Sequence, residues 1–408
     1  REFIRGLNWV PADELPGRLR AGDYEALVSA ARDAGANLLR VWGGGLREKW
    51  AFYQTCDRLG MLVWQEFPIA SVFLGRLPRD PAYLQLLRQE SESIVRTLRA
   101  HPCVALWCGG NEFSPWRNAP AVSVMRQAVA EHDGSRPFVP ASPYRGERHN
   151  WRVWHGGAPA ADYRLDHSPF ASELGLQAPP DVASLRRFLP DDELWPPAAG
   201  WRAHNAEIEK LRRYTGAGRH DLETFVAASQ AAQARALQVA IEHFRRRKGA
   251  CAGLAIWQWN EPWPAISWSL IDYYRRPKLA GRSLARWYDP LLVSFQYPLH
   301  EYLPGSDLAG EVWVVNDWPA AYAGCEVRLL FGARLAWRGA VDLPADSSVR
   351  VGSVQLVVED PGVPLELELW QAGRRLAHND YDLRYDGSRP RPPLMRTLRQ
   401  RLAELLLR

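Results

Sequence analysis

Along residues 1 to 290, short apolar runs alternate with stretches whose apolar positions recur every three or four residues, the pattern of βα units that build a parallel sheet. Eight strands are expected, at Phe3–Trp9, Asn37–Trp42, Leu62–Glu66, Val104–Trp107, Phe138–Ser142, Arg152–His155, Phe170–Ser172 and Gly253–Trp259. Helical periodicity falls between or after them at Tyr24–Ala34, Lys49–Leu59, Ala82–Arg99, Ala121–Glu131, Leu222–Arg246 and Ser283–Tyr288. Eight such units predict an α/β chain folded as a (β/α)8 TIM barrel over residues 1–290, because an open doubly wound sheet needs fewer strands and a glycine-rich first turn. After Asp289-Pro290 the period changes to two, in Val312–Val315, Glu326–Phe331, Ser348–Val358 and Leu365–Trp370, with Gly, Pro and Asp turns between. That pattern predicts a small all-β, immunoglobulin-like sandwich over residues 291–386. Residues 387–408 are expected to be a Pro- and Arg-rich linker, Gly387–Pro393, and a short amphipathic helix, Leu394–Leu407.

Length agrees with more than one domain, since the chain has 408 residues and one core stops growing at roughly 250 to 300. With 47% hydrophobic and 24% charged residues the composition is globular, and no apolar run has the length of a membrane span. The net charge is +5, but the basic residues are scattered. The densest basic run, Arg245–Lys248, ends a predicted helix, so neither nucleic acid nor membrane is expected as a partner. Five cysteines, Cys56, Cys103, Cys108, Cys251 and Cys325, form no CxxC pair, which argues against a disulfide framework or zinc site and for reduced thiols in the cytoplasm. The common nucleotide-binding, zinc-protease and serine-hydrolase motifs are absent, and no cofactor or metal is expected.

Chemistry in a (β/α)8 barrel sits at the C-terminal strand ends, so the polar residues that follow each apolar run are the candidates. The fourth predicted strand leads into Gly109-Gly110-Asn111-Glu112, the seventh into Glu173-Leu174-Gly175, and the eighth runs through Trp257-Gln258-Trp259-Asn260-Glu261. Two glutamates facing one another across the barrel mouth suit glycoside hydrolysis, in which one carboxyl protonates the leaving oxygen while the other acts at the anomeric carbon. A separation of about 5 to 5.5 Å would give retention and about 6.5 to 9.5 Å inversion, a choice the chain alone leaves open. Taken singly, each glutamate could instead cap the helix that follows it. Nineteen tryptophans strengthen the sugar hypothesis, because indole faces pack on the C–H patches of pyranose rings. Trp42, Trp64, Trp107, Trp154 and Trp257 fall near strand ends, with Trp42 and Trp257 the foremost pocket candidates. His155 is a candidate hydroxyl partner, while Glu66, Asp162, Glu261 and Asp272 are expected to brace loops.

These residues form a recognisable set. Gly6-Leu7-Asn8-Trp9-Val10-Pro11, Arg40-Val41-Trp42-Gly43-Gly44-Gly45, Val63-Trp64-Gln65-Glu66-Phe67, Leu106-Trp107-Cys108-Gly109-Gly110-Asn111-Glu112, Trp154-His155-Gly156-Gly157, Phe170-Ala171-Ser172-Glu173-Leu174-Gly175 and Trp263-Pro264-Ala265-Ile266-Ser267-Trp268 occur in order. Together they resemble glycoside hydrolase family 2, in particular its β-mannosidase branch. The resemblance implies a retaining enzyme that removes terminal β-D-mannose from an oligosaccharide or glycoconjugate, with Glu112 as acid/base and Glu173 as nucleophile. It also implies that Asn111 holds the sugar 2-hydroxyl and that Trp42, Trp154, His155 and Trp257 line the pocket. The alternatives it leaves are a β-glucosaminidase or β-galactosidase on the same scaffold, or a glycan-binding remnant without turnover. Family members usually carry a jelly-roll and an immunoglobulin-like domain ahead of the barrel. Here the barrel pattern starts at residue 1, so either a more open site or a piece of a longer protein is expected.

Overall fold

The computed structural model describes residues 2–216 and 220–384. Eight parallel strands form its first sheet: β1 Ile4–Trp9, β2 Leu38–Val41, β3 Leu62–Glu66, β4 Val104–Cys108, β5 Phe138–Val139, β6 Glu147–His149, β7 Phe170–Glu173 and β8 Gly253–Ile256. Hydrogen-bonded neighbours run β5-β4-β3-β2-β1-β8-β7-β6, the circular order of a TIM barrel with its seam between β5 and β6. Side chains bridge that seam, since Ser142 Oγ lies 3.1 Å from His149 Nε2. The strands β2 and β8 are buried at every residue, as expected of a parallel sheet covered on both faces.

Helices on the outside follow local chemistry. In Pro81–Leu98 the Asp80 side chain accepts from the Tyr83 peptide N–H at 2.9 Å, Pro81 starts the helix, and Leu87, Ser91, Ile94, Val95 and Leu98 form its buried stripe. The longest helix, Leu222–Arg246, begins with a reciprocal capping box between Asp221 and Thr224 and runs along the barrel into the second unit.

Among the described residues, seven antiparallel strands follow: β9 Leu291–Gln296, β10 Asp307–Asn316, β11 Tyr322–Phe331, β12 Arg334–Leu343, β13 Ser347–Val357, β14 Leu365–Gln371 and β15 Arg374–Tyr381. They pair as β9-β10-β13 and β12-β11-β14-β15, two sheets enclosing a separate core that includes Phe295, Val312, Val327, Leu329 and Leu367. Asp317, after β10, ties this sandwich to the barrel by accepting from Arg5, Arg245 and Lys248, each at 2.7 Å. The expected helix Leu394–Leu407 and its linker lie outside the described residues.

One strand is not where the periodicity put it. Arg152–His155 is a turn, and the sixth strand is Glu147–His149. The apolar Trp151, Val153 and Trp154 pack into the core from the turn, which gave that segment a strand-like pattern. The true strand reads Glu-Arg-His, because its side chains serve the barrel mouth and not the core.

Candidate active site

Glu112 and Glu173 stand at the C-terminal ends of β4 and β7, on opposite sides of the barrel mouth. The backbone aims Glu112 deliberately: its own φ is +51°, a left-handed value uncommon for a side chain larger than glycine. Two flanking loops hold it there, with the Asn111 N–H donating to Ile69 O at 2.8 Å and the Glu112 N–H to Ser142 O at 2.7 Å. Gly110 is required before them, since its φ is +133° and a Cβ would stand 2.3 Å from Ile69 O. His149 bridges the two acids, with Nδ1 3.0 Å from Glu112 Oε1 and 3.3 Å from Glu173 Oε2. The facing carboxylate oxygens lie within 4.8 Å of one another.

Arg40, fully buried in the middle of β2, organises the floor of the site. Its Nη1 donates to Glu173 Oε1 at 2.7 Å and to Asn8 Oδ1 at 2.6 Å, Nη2 to Asn111 Oδ1 at 2.7 Å and Glu66 Oε1 at 2.8 Å, and Nε to Glu66 Oε1 at 3.0 Å. Every donor position of the fork is used, which a lysine ammonium at this point could not reproduce. Glu66 closes the arrangement by accepting from the Gly43 N–H at 2.7 Å, the loop-bracing role expected of it. Asp162 pairs with Arg152, Glu261 accepts from Ser267 and Ser269, and Asp272 accepts from Ser184.

Burial sets the titration of this cluster. It pushes the Glu112 carboxyl above the usual carboxylate range, against Arg40 and Asn111, and it raises Glu173 against the charges of His149 and Arg40. Burial also holds the His149 imidazole down at about 4, so it is neutral near pH 7. Two carboxyls this close share protons as a pair, and the arginine contact belongs to Glu173 alone. The Arg40 contact favours the ionised form of Glu173, while the neighbouring charge of Glu112 opposes it. The donors of Glu112, His149 and Glu173 are also near enough to ligate a cation, but Arg40 already supplies positive charge at that point and opposes a second.

Aromatic residues gather beside the carboxylates. A cavity of about 470 Å3 is walled by Trp42, Trp257, Gln258, Trp263 and Trp268, with Asp13, Glu14 and Glu261 as its acidic members. Neither Glu112 nor Glu173 is on its wall, but it adjoins them through the chain: the Trp257 N–H donates to Leu174 O at 2.8 Å, and Trp42 is two residues beyond Arg40. The Trp42 and Trp257 rings meet edge to face at 5.2 Å. Gly44 permits this pose, because a Cβ there would stand 1.9 Å from the Trp42 ring.

Trp154 and His155 do not reach that wall. Trp154 is fully buried, stacked on Tyr214, with its indole N–H donating to Glu207 at 2.7 Å. His155 Nδ1 lies 2.9 Å from Lys210 Nζ, and burial and that ammonium hold it down at about 4. Both rings pack behind Trp268, which takes the wall position the sequence assigned to them. Trp64 and Trp107 are core residues as well.

Comparison with known proteins places the chain in a family. The family model "Glycosyl hydrolases family 2, TIM barrel domain" matches residues 46–149. The β-mannosidase B of Thermothelomyces thermophilus is 30% identical over 74% of this chain and 41% of its own length, and that of Aspergillus fumigatus is 29% identical over 77% and 43%. Among solved structures, the β-D-mannosidase of Dictyoglomus thermophilum superposes with a TM-score of 0.84 at 32% identity, covering 94% of this chain and 51% of that one. The chain belongs to glycoside hydrolase family 2. It spans about half the length of these relatives or less. The exo-chitosanase CsxA of Amycolatopsis orientalis shares the fold, with a TM-score of 0.72 at 19% identity over 93% of this chain and 48% of its own.

Two members of this family 2 site went unassigned in the sequence. Arg40 had a readable signal, a charge inside the apolar run Leu38-Leu39-Arg40-Val41 that must find partners once buried. His149 had none, because the strand that carries it, Glu147–His149, was placed at Arg152–His155, starting five residues too late.

Proposed function

We propose that this chain is the catalytic portion of a retaining exo-β-glycosidase of the β-mannosidase branch, acting on terminal non-reducing β-D-mannose of an oligosaccharide or glycoconjugate. The observation that carries the reading is that an oxygen of Glu112 and one of Glu173 lie within 4.8 Å and both meet His149 Nδ1, a proximity that favours direct attack by one carboxylate over attack by an interposed water. Glu173 would attack the anomeric carbon as Glu112 gives its proton to the departing oxygen. Glu112, then ionised, would take a proton from water as that water opens the glycosyl ester and frees Glu173. Asn111, its Oδ1 held by Arg40, is suited to present its amide to the sugar 2-hydroxyl. The mannose preference rests on the β-mannosidases named above, and five buried, unpaired cysteines support a reducing compartment such as the cytoplasm.

A panel of aryl β-glycosides tests the reading on the full-length protein. Release from the β-mannoside with retained configuration is expected. Faster release from the glucosaminide or galactoside would move the assignment within the family, and binding of mannose without release from any glycoside would leave a lectin-like remnant. The aromatic wall gives a sharper contrast. Trp257→Ala should cut kcat/KM about 100-fold with little change in melting temperature, through lost contact in the transition state. Trp154→Ala should instead cost about 3 to 5 kcal/mol of stability, read as a large fall in melting temperature.

A further inference from the structure

Behind the carboxylate pair lies another acid that the double displacement does not use. Glu147, at the start of β6, meets hydroxyl and peptide donors instead of a cation: Ser142 Oγ at 2.5 Å and the Tyr144 N–H at 3.3 Å, with the Ser172 hydroxyl also in reach. Ser142 Oγ in turn lies 3.1 Å from His149 Nε2, and His149 Nδ1 touches both Glu112 and Glu173. The chain Glu147–Ser142–His149 therefore ends on the two acids proposed to do the chemistry.

A hydroxyl has one proton, which makes the chain directional. When Glu147 is ionised, Ser142 donates to it, so the Ser142 oxygen accepts from His149 Nε2–H. The neutral ring then carries a lone pair on Nδ1, which accepts from the protonated carboxyl of Glu112. When Glu147 is protonated, it donates to Ser142, Ser142 donates to Nε2, and Nδ1–H points at the carboxylates instead. We propose that Glu147, acting through the Ser142 hydroxyl, sets the tautomer of His149 and thereby the direction of its hydrogen bond to the Glu112–Glu173 pair. Glu147, Ser142 and His149 are positioning residues in this scheme.

The groups that face His149 and Glu147 are Arg40 from β2, Glu66 from β3, the Cys108 thiol at the end of β4, Glu112 beyond β4, Ser142 beyond β5, and Ser172 and Glu173 from β7. Only Arg40 among them is cationic. Burial pushes the Glu147 carboxyl above its ordinary range, so the relay reverses at a higher pH than an exposed carboxyl would set. With Glu147 ionised, Nδ1 favours the protonated form of Glu112 and delays its loss of the proton as pH rises.

The activity arm of the test rests on the proposed function, while a spectroscopic arm does not. Nitrogen-15 spectra of the histidine rings, with His149 assigned by His149→Gln, should show the Nε2–H form in the unaltered protein near pH 7 and a change toward Nδ1–H on mild acidification. Glu147→Gln should lose that pH response, and Ser142→Ala should show Nδ1–H throughout. In parallel, the basic limb of kcat/KM on an aryl β-mannoside should fall by about one pH unit in both variants. An active enzyme whose His149 tautomer ignores both substitutions overturns the inference, as does a rate loss equal at every pH with both limbs in place. The expected spectra in a protein that cleaves no glycoside would leave the relay standing and remove the proposed function instead.

Discussion

Glu173→Ala is expected to lower turnover of an aryl β-mannoside by about 10⁴-fold or more, the scale of losing a nucleophile that works as part of a unit. Added azide should restore release of the aryl group and yield the α-glycosyl azide. The geometry requires that anomer: the alanine leaves a gap on the face from which the carboxylate attacks, and a small anion filling it displaces the leaving group once, inverting the centre. Glu112→Ala gives the complementary pattern. With a good leaving group the first step needs little acid help, so the glycosyl ester on Glu173 accumulates, and azide then attacks it from the other face to give the β-azide. The two products separate the roles in one pair of experiments, read by nuclear magnetic resonance. A β-azide from Glu173→Ala, or unreduced turnover in that variant, would reverse or remove the assignment of these two carboxylates.

The sequence made some of this legible because certain demands fall on single residues. The Asn111-Glu112 and Ser172-Glu173 pairs and the glycines that let backbone pass close to backbone are local signals, and the two strands that lead to these glutamates ended within one residue of expectation, whereas the fifth and eighth ended three residues early. Edges were harder. In the sandwich, β12 and β15 border their sheet and carry Arg334, Arg338, Arg374 and Arg375, charges that protect an edge and, in Arg374-Arg375 of β15, interrupt the period-two pattern. Pocket membership was harder still. Trp154, in a predicted strand, read as a pocket residue and Trp268, beyond the eighth strand, did not; what reverses them is a set of neighbours far along the chain, since Glu207 and Tyr214 claim Trp154 for the core. Arg40 shows the opposite case, a residue whose position in an apolar strand announced a role while leaving its partners, on four other strands or strand ends, to the fold.

Arg40→Met should be the most damaging change outside the carboxylate pair, in both stability and rate. Removing the guanidinium leaves Glu66 and Glu173 buried without their cation, a situation that costs about 3 to 5 kcal/mol when one member of a buried pair is deleted. The sign with pH follows from Glu173. Its carboxyl is already raised by burial, and losing Arg40 raises it further, so the cost is that of holding an ionised acid in the core. The deficit is therefore full above the raised pKa and shrinks as the pH falls through it and the carboxyl takes up a proton. Thermal unfolding of the variant and the unaltered protein should converge toward acid pH and diverge toward neutral. Turnover should drop about 10²- to 10³-fold, the scale of losing an oriented charged donor, and the acid limb of kcat/KM, which reports ionisation of the nucleophile, should move to higher pH. Arg40→Lys separates charge from shape: it should recover part of the acid limb, since a positive charge returns, but little of the rate, because three ammonium protons cannot hold Asn8, Glu66, Asn111 and Glu173 at once. Parallel melting curves at all pH values, or an acid limb that stays in place in Arg40→Met, would mean that Arg40 braces the barrel without tuning Glu173.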